Sequence, residues 1–387
     1  MRRNICFVTG SRAEYGLLQP LMRAVVKDPD LQMQLVVTGA HLVPDFGLTY
    51  KTIEQDGFVI DEKIDMLLSS DSSVGVVKSM GLGMIGFADA FERLKPDLLV
   101  LLGDRYEILA AAQVALICRI PVAHIAGGDI TEGVFDDAIR HSITKMSHIH
   151  FVTNEDSRQV VCQLGESPKN VFNVGSLGID QIKSIPILSR NELEQALDFE
   201  FKNRNILVTF HPVTLDKVDS ALQFLEVLKA IDNLGRDTGV IFTKPNADPD
   251  GRLLSQMIDK FVATHDNAKA YASLGTRLYF SCISQVDVVV GNSSSGLYEV
   301  PSFNKPTVNI GDRQKGRMYA SSIVNCSSEA DAIRKAIVQA FNMSLNNTVN
   351  PYGNGDTAAR IIKVIKELPD FKSLLKKEFC KVNVSYE

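Results

Sequence analysis

Short apolar runs rich in valine and isoleucine alternate with longer segments of helical period along the chain, and this alternation restricts the fold more than any other feature. A strand that is apolar on both faces requires cover on both faces, and a parallel sheet crossed by helices supplies it. The pattern predicts an α/β fold. Strands are predicted at residues 5–9, 35–38, 98–102, 121–125, 149–153 and 171–174, then at 205–210, 239–243, 286–290 and 306–310. Helices are predicted over 74–94, 106–117, 216–234, 251–263 and 356–368. The second half repeats the scheme of the first, which reads as two Rossmann-like units.

Two domains also suit a length of 387 residues, too long for one ordinary core. The boundary is placed where Gly175-Ser176-Leu177-Gly178 precedes the irregular stretch Ile185-Pro186-Ile187-Leu188, giving domains over 1–184 and 185–364. The C-terminal residues, about 365–387, are a candidate to pack back on the first domain. A net charge of −5 with no basic block argues against a nucleic-acid partner. No apolar stretch is expected to reach the ~20 residues that cross a bilayer, so no membrane partner is expected. Six cysteines, widely spaced and without a Cys-x-x-Cys, read as reduced thiols; with no secretory signal ahead of them, the chain is expected in the cytoplasm.

The motifs that carry chemistry sit where the predicted strands end. The first strand runs into Thr9-Gly10-Ser11-Arg12-Ala13-Glu14-Tyr15-Gly16, inside which a helix begins. The N–H groups and positive dipole end of such a turn suit a phosphate, with Arg12 as a fixed cation; a cap serving only the helix is the equal alternative. Gly81-Leu82-Gly83-Met84-Ile85-Gly86 matches the dinucleotide fingerprint by letter but lies within a helical pattern, so it reads as close helix packing. Asp104 follows strand 98–102, at the carboxyl end where open α/β sheets bind ligands, although a helix cap would also place a carboxylate there. After Gly127-Gly128-Asp129 come Asp136 with Arg140 and Asp137 with His141, pairs at i,i+4 spacing that form either an acid–base cluster or a solvated, salt-bridged face. His148 and His150 lack the partners a metal site needs, and none is expected.

In the second half, strand 205–210 ends in His211-Pro212. Strand 286–290 ends in Gly291-Asn292-Ser293-Ser294-Ser295-Gly296, followed by Glu299, a second phosphate-type turn or a Ser-rich cap. Asp312-Arg313-Gln314-Lys315-Gly316-Arg317 adds cations after strand 306–310. Two such turns at matching places in two similar domains point to a nucleotide site.

Taken in order, Thr9 to Gly16, Gly103-Asp104-Arg105, Arg140-His141-Ser142-Ile143-Thr144-Lys145, His211-Pro212, Gly291 to Gly296 and Asn309-Ile310-Gly311-Asp312-Arg313-Gln314 resemble the UDP-N-acetylglucosamine 2-epimerases over nearly the whole chain. The resemblance is to the hydrolysing branch of bacterial sialic and legionaminic acid pathways. It implies two Rossmann-like domains in a GT-B-like arrangement, with the active site in the interdomain cleft, and a homodimer or homotetramer that needs no cofactor. The implied ligand is a UDP-linked N-acetylated sugar. UDP-N-acetylglucosamine is expected to yield UDP and N-acetylmannosamine through a 2-acetamidoglucal, for sialic-type acid synthesis. A 2,4-diacetamido-2,4,6-trideoxy sugar is the alternative substrate; a GT-B glycosyltransferase and a non-catalytic nucleotide-sugar-binding protein are the alternative functions. By resemblance Asp104 is the leading catalytic carboxylate, His211 lines the diphosphate and sugar region, Glu299 holds the ribose, and Arg12, Glu14, Ser293, Ser294 and Arg313 contact the nucleotide. Relatives commonly carry Glu where this chain has Ala126, so Asp129, Asp136 or Asp137 is expected to supply the missing carboxylate.

Overall fold

A computed structural model describes residues 2–68, 72–130, 135–212, 220–245, 249–345 and 348–381. The chain divides into two compact units, Met1–Gln181 with Tyr352–Glu387, and Ile182–Pro351. The first unit is therefore left at 181 rather than 184 and rejoined at 352 rather than 365. Helix Thr357–Glu367 belongs to it whole, because its stripe of Ala358, Ile361 and Ile365 is buried in the first unit's core. Its first turn is fixed there by Asp180, whose carboxylate accepts the N–H of Thr357 at 3.0 Å and of Ala358 at 2.7 Å.

The first unit is built on a parallel sheet of β1 (Arg3–Thr9), β2 (Leu31–Thr38), β3 (Glu62–Ile64), β4 (Leu98–Leu102), β5 (Val122–Ile125), β6 (Ile149–Val152) and β7 (Val171–Asn173). Their spatial order is β3-β2-β1-β4-β5-β6-β7. Side chains alternate across it. Ile5, Phe7, Leu35 and Val100 join one core, while Cys6, Val8, Val36, Leu99 and Leu101 join the core on the other face. That double burial is why these strands are unbroken apolar runs. The second unit holds β8 (Arg204–Thr209), β9 (Thr238–Thr243), β10 (Ala268–Tyr271), β11 (Val288–Gly291), β12 (Thr307–Ile310) and β13 (Ile323–Cys326), in the order β10-β9-β8-β11-β12-β13, again parallel. Strand order reverses between β1 and β4 in one sheet and between β8 and β11 in the other, and at these two points a doubly wound sheet opens a crevice at its carboxyl end.

One expectation needs correction. Helix Ser73–Leu94 has 22 residues and a mean hydropathy of 1.3, so by length and composition it could cross a membrane. The sequence expectation failed because the glycines and alanines spread its hydropathy thinly over many residues. Its inner face packs on the first unit through Phe87, Ala90 and Phe91. The glycine motif serves that packing in part: a Cβ on Gly86 would stand 2.5 Å from Ile64 Cγ2 and one on Gly83 3.0 Å from Met66 Cε, whereas Gly81 faces no neighbour within 4 Å.

Candidate active site

At the switch point of the first sheet, a cavity of about 390 Å³ is lined by Ser11, Arg12, Ala13, Ala40, Arg105 and Tyr106, among others. Ser11 is the N-cap of helix Arg12–Lys27, and its hydroxyl accepts the N–H of Glu14 at 3.4 Å. The cap and the anion site are thus the same turn: helix geometry leaves the N–H groups of Arg12 and Ala13 without intrahelical acceptors, at the cavity wall. Arg12 is exposed. Glu14, expected at the nucleotide, turns inward instead. It is 6% exposed, and Oε2 accepts the Gly10 N–H at 2.7 Å. Burial, then the nearby Glu107 carboxylate, pushes its pKa up to about 8. Arg105 takes the place at the cavity, with its Nε 2.5 Å from Glu107 Oε1.

Asp104 stands at the end of β4, beside the cavity-lining Arg105. Its Oδ2 accepts the Nη2–H of Arg140, a residue only 7% exposed. Arg140 Nη1 donates to the carbonyl of Asp129 at 2.6 Å and to Asp137 Oδ1 at 3.3 Å. Asp137 also meets His141 Nε2 at 3.3 Å. The cluster read as either acid–base machinery or a solvated face is therefore neither wholly: Arg140 is a buried clasp. Asp129 is bound elsewhere, its Oδ1 accepting Ser157 Oγ at 2.7 Å and Thr153 Oγ1 at 3.3 Å. Asp136 differs from both. Among the described residues it makes no hydrogen bond or ion pair, and burial together with the Asp104 carboxylate raises its pKa above the aspartate range. His124, below them, is buried with Nε2 2.9 Å from the carbonyl of Gly103, and burial lowers its pKa to about 3. Ala126, directly after β5, lies in the left-handed region at φ 63°, an uncommon conformation for a residue with a Cβ.

In the second unit, Gly291 ends β11 at φ 141°, and a Cβ there would stand 1.9 Å from the carbonyl oxygen of Thr209, so only glycine fits. The turn that follows is tied to β8: Asn292 Oδ1 accepts the His211 N–H at 2.7 Å and its Nδ2 donates to the His211 carbonyl at 2.8 Å. Arg313 NH1 and Gln314 Nε2 donate to the Asn292 carbonyl at 3.1 and 2.8 Å. His211, Asn292 and Arg313 are thereby gathered at one switch point, next to Ser293 and Ser294. Burial, then the Arg313 charge, lowers the His211 pKa. Glu299 follows the single turn Ser295–Tyr298; its Oε2 is buried without a hydrogen-bond partner among the described residues, and burial raises its pKa to about 7. Such a carboxylate suits a pair of ligand hydroxyls. Among the described residues no group of three or more His, Cys, Asp or Glu is placed to hold a metal ion.

The sequence model of the UDP-N-acetylglucosamine 2-epimerases matches residues 23–366. The chain belongs to that family. It is 44% identical over 325 residues to the GDP/UDP-N,N'-diacetylbacillosamine 2-epimerase (hydrolyzing) of Campylobacter jejuni, covering 84% of each chain. To the UDP-N,N'-diacetylbacillosamine 2-epimerase (hydrolyzing) of Legionella pneumophila it is 34% identical, covering 97% of this chain and 99% of the relative. It is a hydrolysing nucleotide-sugar 2-epimerase by these relations. The solved UDP-GlcNAc 2-epimerase of Neisseria meningitidis bound to UDP-GlcNAc shares the fold, with a TM-score of 0.79 at 18% identity over 94% of this chain and all of that one. The GT-B-like α/β class expected from the sequence is thus the observed one.

Sequence reasoning paired Arg140 with Asp136 and missed its clasp on Asp104, and it passed over Arg105 and Glu107. Their signal was present: both arginines flank carboxylates at the same sheet end.

Proposed function

We propose that this epimerase releases UDP from a UDP-linked 2-acetamido sugar and delivers the free sugar inverted at carbon 2. One carboxylate removes the proton from carbon 2 as the bond from carbon 1 to the diphosphate oxygen breaks, leaving a 2-acetamidoglucal and UDP. Water then adds its hydroxyl to carbon 1 while carbon 2 receives a proton on the opposite face. The observation that carries this is the presence of two unlike carboxyl groups, Asp104 clasped by Arg140 and Asp136, which has raised proton affinity and no hydrogen bond or ion pair among the described residues. A carboxyl with raised proton affinity next to one held by an arginine suits an acid and a base. Asp136 then stands in for the Glu absent at Ala126. In the first unit Arg12 and Arg105 offer positive charge to a diphosphate, and in the second Arg313, the Ser293-Ser294 turn and His211 do the same. Glu299 receives the ribose hydroxyls.

For the sugar, the two hydrolysing relatives favour a 2,4-diacetamido-2,4,6-trideoxyhexose, made for a sialic-type acid. UDP-N-acetylglucosamine is the second substrate, favoured by the family match. Incubating purified enzyme with each UDP-sugar and following UDP release separates them. Equal kcat/KM on both would sink the assignment to the diacetamido sugar. The six free cysteines suit a reducing compartment and support a cytoplasmic location.

For the oligomer, we propose a homodimer through helix Ser73–Leu94. Val74, Val77, Gly81, Met84 and Ile85 follow a spacing of three and four along its outer face, with Val77 66% and Ile85 67% exposed. With Leu82 and with Leu116 and Ile117 of the adjoining helix, the exposed apolar area is on the order of 700 Å², close to one side of a standard interface at ~800 Å². A second copy supplies the same apolar surface, and Gly81 lets two such helices approach closely.

A further inference from the structure

Beneath the cavity of the first unit lies a pair of carboxyl groups whose burial the mechanism above does not use. Glu107 is 0% and Glu14 6% exposed. Both face one guanidinium: Arg105 Nε is 2.5 Å from Glu107 Oε1 and 3.7 Å from Glu14 Oε1. Two glycines make the room. A Cβ on Gly10 would stand 2.4 Å from Glu107 Cγ, and one on Gly39 would stand 3.3 Å from Glu107 Oε1. One oxygen of each carboxyl, Glu14 Oε1 and Glu107 Oε2, is buried without a hydrogen-bond partner among the described residues. Two buried acceptors left unpaired are costly, and one proton placed on either carboxyl converts an acceptor into a donor.

We propose that Glu14 and Glu107 form a carboxylic acid–carboxylate pair that retains one proton while a diphosphate is bound beside Arg105, so that nucleotide binding takes up a proton from solvent. The inference rests on the nucleotide reading of the cavity.

Charge makes the coupling necessary. With both carboxylates ionised, Arg105 and its two partners carry one net negative charge; with one proton added they carry none. Arg12 at the cavity wall adds one positive charge to either state, so a diphosphate there is held less strongly by the first state than by the second, and through a protein interior the difference is screened weakly. Glu107 acts as the positioning residue. It holds Arg105 by Nε and leaves the terminal nitrogens, which donate no hydrogen bond among the described residues, for the phosphate. Glu14 is the proton acceptor, and its affinity for a proton is already high: burial and Glu107 raise it, while the Gly10 N–H and Arg105 oppose them. Among the described residues Tyr106 also lies beside Arg105 and Arg12 lines the cavity, and a further titratable neighbour is His41, two residues beyond Gly39. It is buried between the hydroxyls of Thr9 and Thr49, at 3.1 and 2.7 Å, and burial lowers its pKa to about 4, so it stays neutral. The proton therefore comes from solvent to Glu14 rather than from His41.

Calorimetry of UDP binding at pH 8.5, in two buffers of different ionisation enthalpy, counts the proton directly. UDP is fully ionised there, since its phosphate releases its last proton near pH 6. The wild-type enzyme is expected to take up a substantial fraction of a proton more than Glu14→Gln, which carries the neutral carboxyl's shape at every pH. Wild-type affinity is expected to fall up to tenfold per pH unit above about pH 8, while that of Glu14→Gln stays level and Glu107→Gln binds weakly throughout. Equal proton uptake by wild type and Glu14→Gln overturns the inference. Should Glu14→Gln fail to fold, wild-type affinity that is level between pH 7 and 9.5 overturns it independently. Failure of the wild-type enzyme to bind UDP at any pH would instead strike the nucleotide reading itself.

Discussion

Arg140 joins Asp104 to Asp129: one guanidinium nitrogen meets the Asp104 carboxylate and the other reaches the Asp129 carbonyl at 2.6 Å. The clasp holds the carboxylate at the end of β4 in register with the loop after β5. Removing Asp104 should therefore cost chemistry rather than UDP recognition. Asp104→Asn is expected to lower kcat by 10²-fold or more, the usual worth of a positioned acid or base, with UDP affinity changed by less than about threefold. Steady-state kinetics with UDP titration checks this. A kcat near wild type would refute the role.

Asp129 and Asp136 should separate cleanly. Asp129 serves Ser157 and Thr153, so Asp129→Ala is expected to lose about 1–3 kcal/mol of stability in urea unfolding, and Asp129→Asn is expected to keep turnover. Asp136→Asn should keep its Tm and lose turnover. Because burial and Asp104 raise the Asp136 pKa, the acid limb of kcat/KM should lie above the ordinary aspartate range and vanish in this variant. The reverse pattern would move the missing carboxylate to Asp129.

Glu299 gives a test of nucleotide recognition. Its Oε2, buried and without a partner among the described residues, should be satisfied by a ribose hydroxyl, so Glu299→Gln is expected to weaken UDP by about 1.5–3 kcal/mol, the usual worth of a hydrogen bond to a charged group. Wild type should prefer UDP to its 2′,3′-dideoxy analogue, and the variant should not. Equal affinities in the wild-type enzyme would contradict the assignment.

Glu14 also predicts a pH-dependent stability. Its pKa is about 8 in the folded chain against an ordinary 4.5, so between these values the folded state holds a proton that the unfolded state has released. Its contribution is most favourable below pH 4.5 and is lost as pH rises through about 8. Glu14→Gln removes that dependence and should gain on wild type across the window, by a few kcal/mol in all. Unfolding at pH 5, 7 and 8.5 measures it. Parallel curves for the two proteins would exclude it.

The helix Ser73–Leu94 should carry self-association. Ile85→Asp, on its exposed face, is expected to convert a sedimenting dimer to monomer at micromolar concentration without lowering Tm. A wild-type monomer would dismiss the proposal.

Much of the fold was legible because its central strands are buried on both faces: β1, β4 and β8 are continuous apolar runs. The strands that escaped, β3, β10 and β13, lie at sheet edges and carry Glu62, Lys269 and Asn325, so no such run marks them. At the site, position was legible and orientation was not. Strand ends located Asp104, His211 and Ser293, but whether a side chain turns out, like Arg12, or in, like Glu14, depends on the neighbour it meets across the sheet. Glu107 comes from another segment altogether. Predicted helix 216–234 is found over Ser220–Asp232, with residues 216–219 outside the described ones.

The central claim is elimination of UDP followed by hydration. Proton NMR of the enzyme in D2O with the UDP-linked diacetamido sugar, and in parallel with UDP-N-acetylglucosamine, follows it most directly. The account predicts equimolar UDP and free sugar of inverted configuration, carrying deuterium at carbon 2. Free sugar that keeps its configuration and its proton at carbon 2 would contradict it.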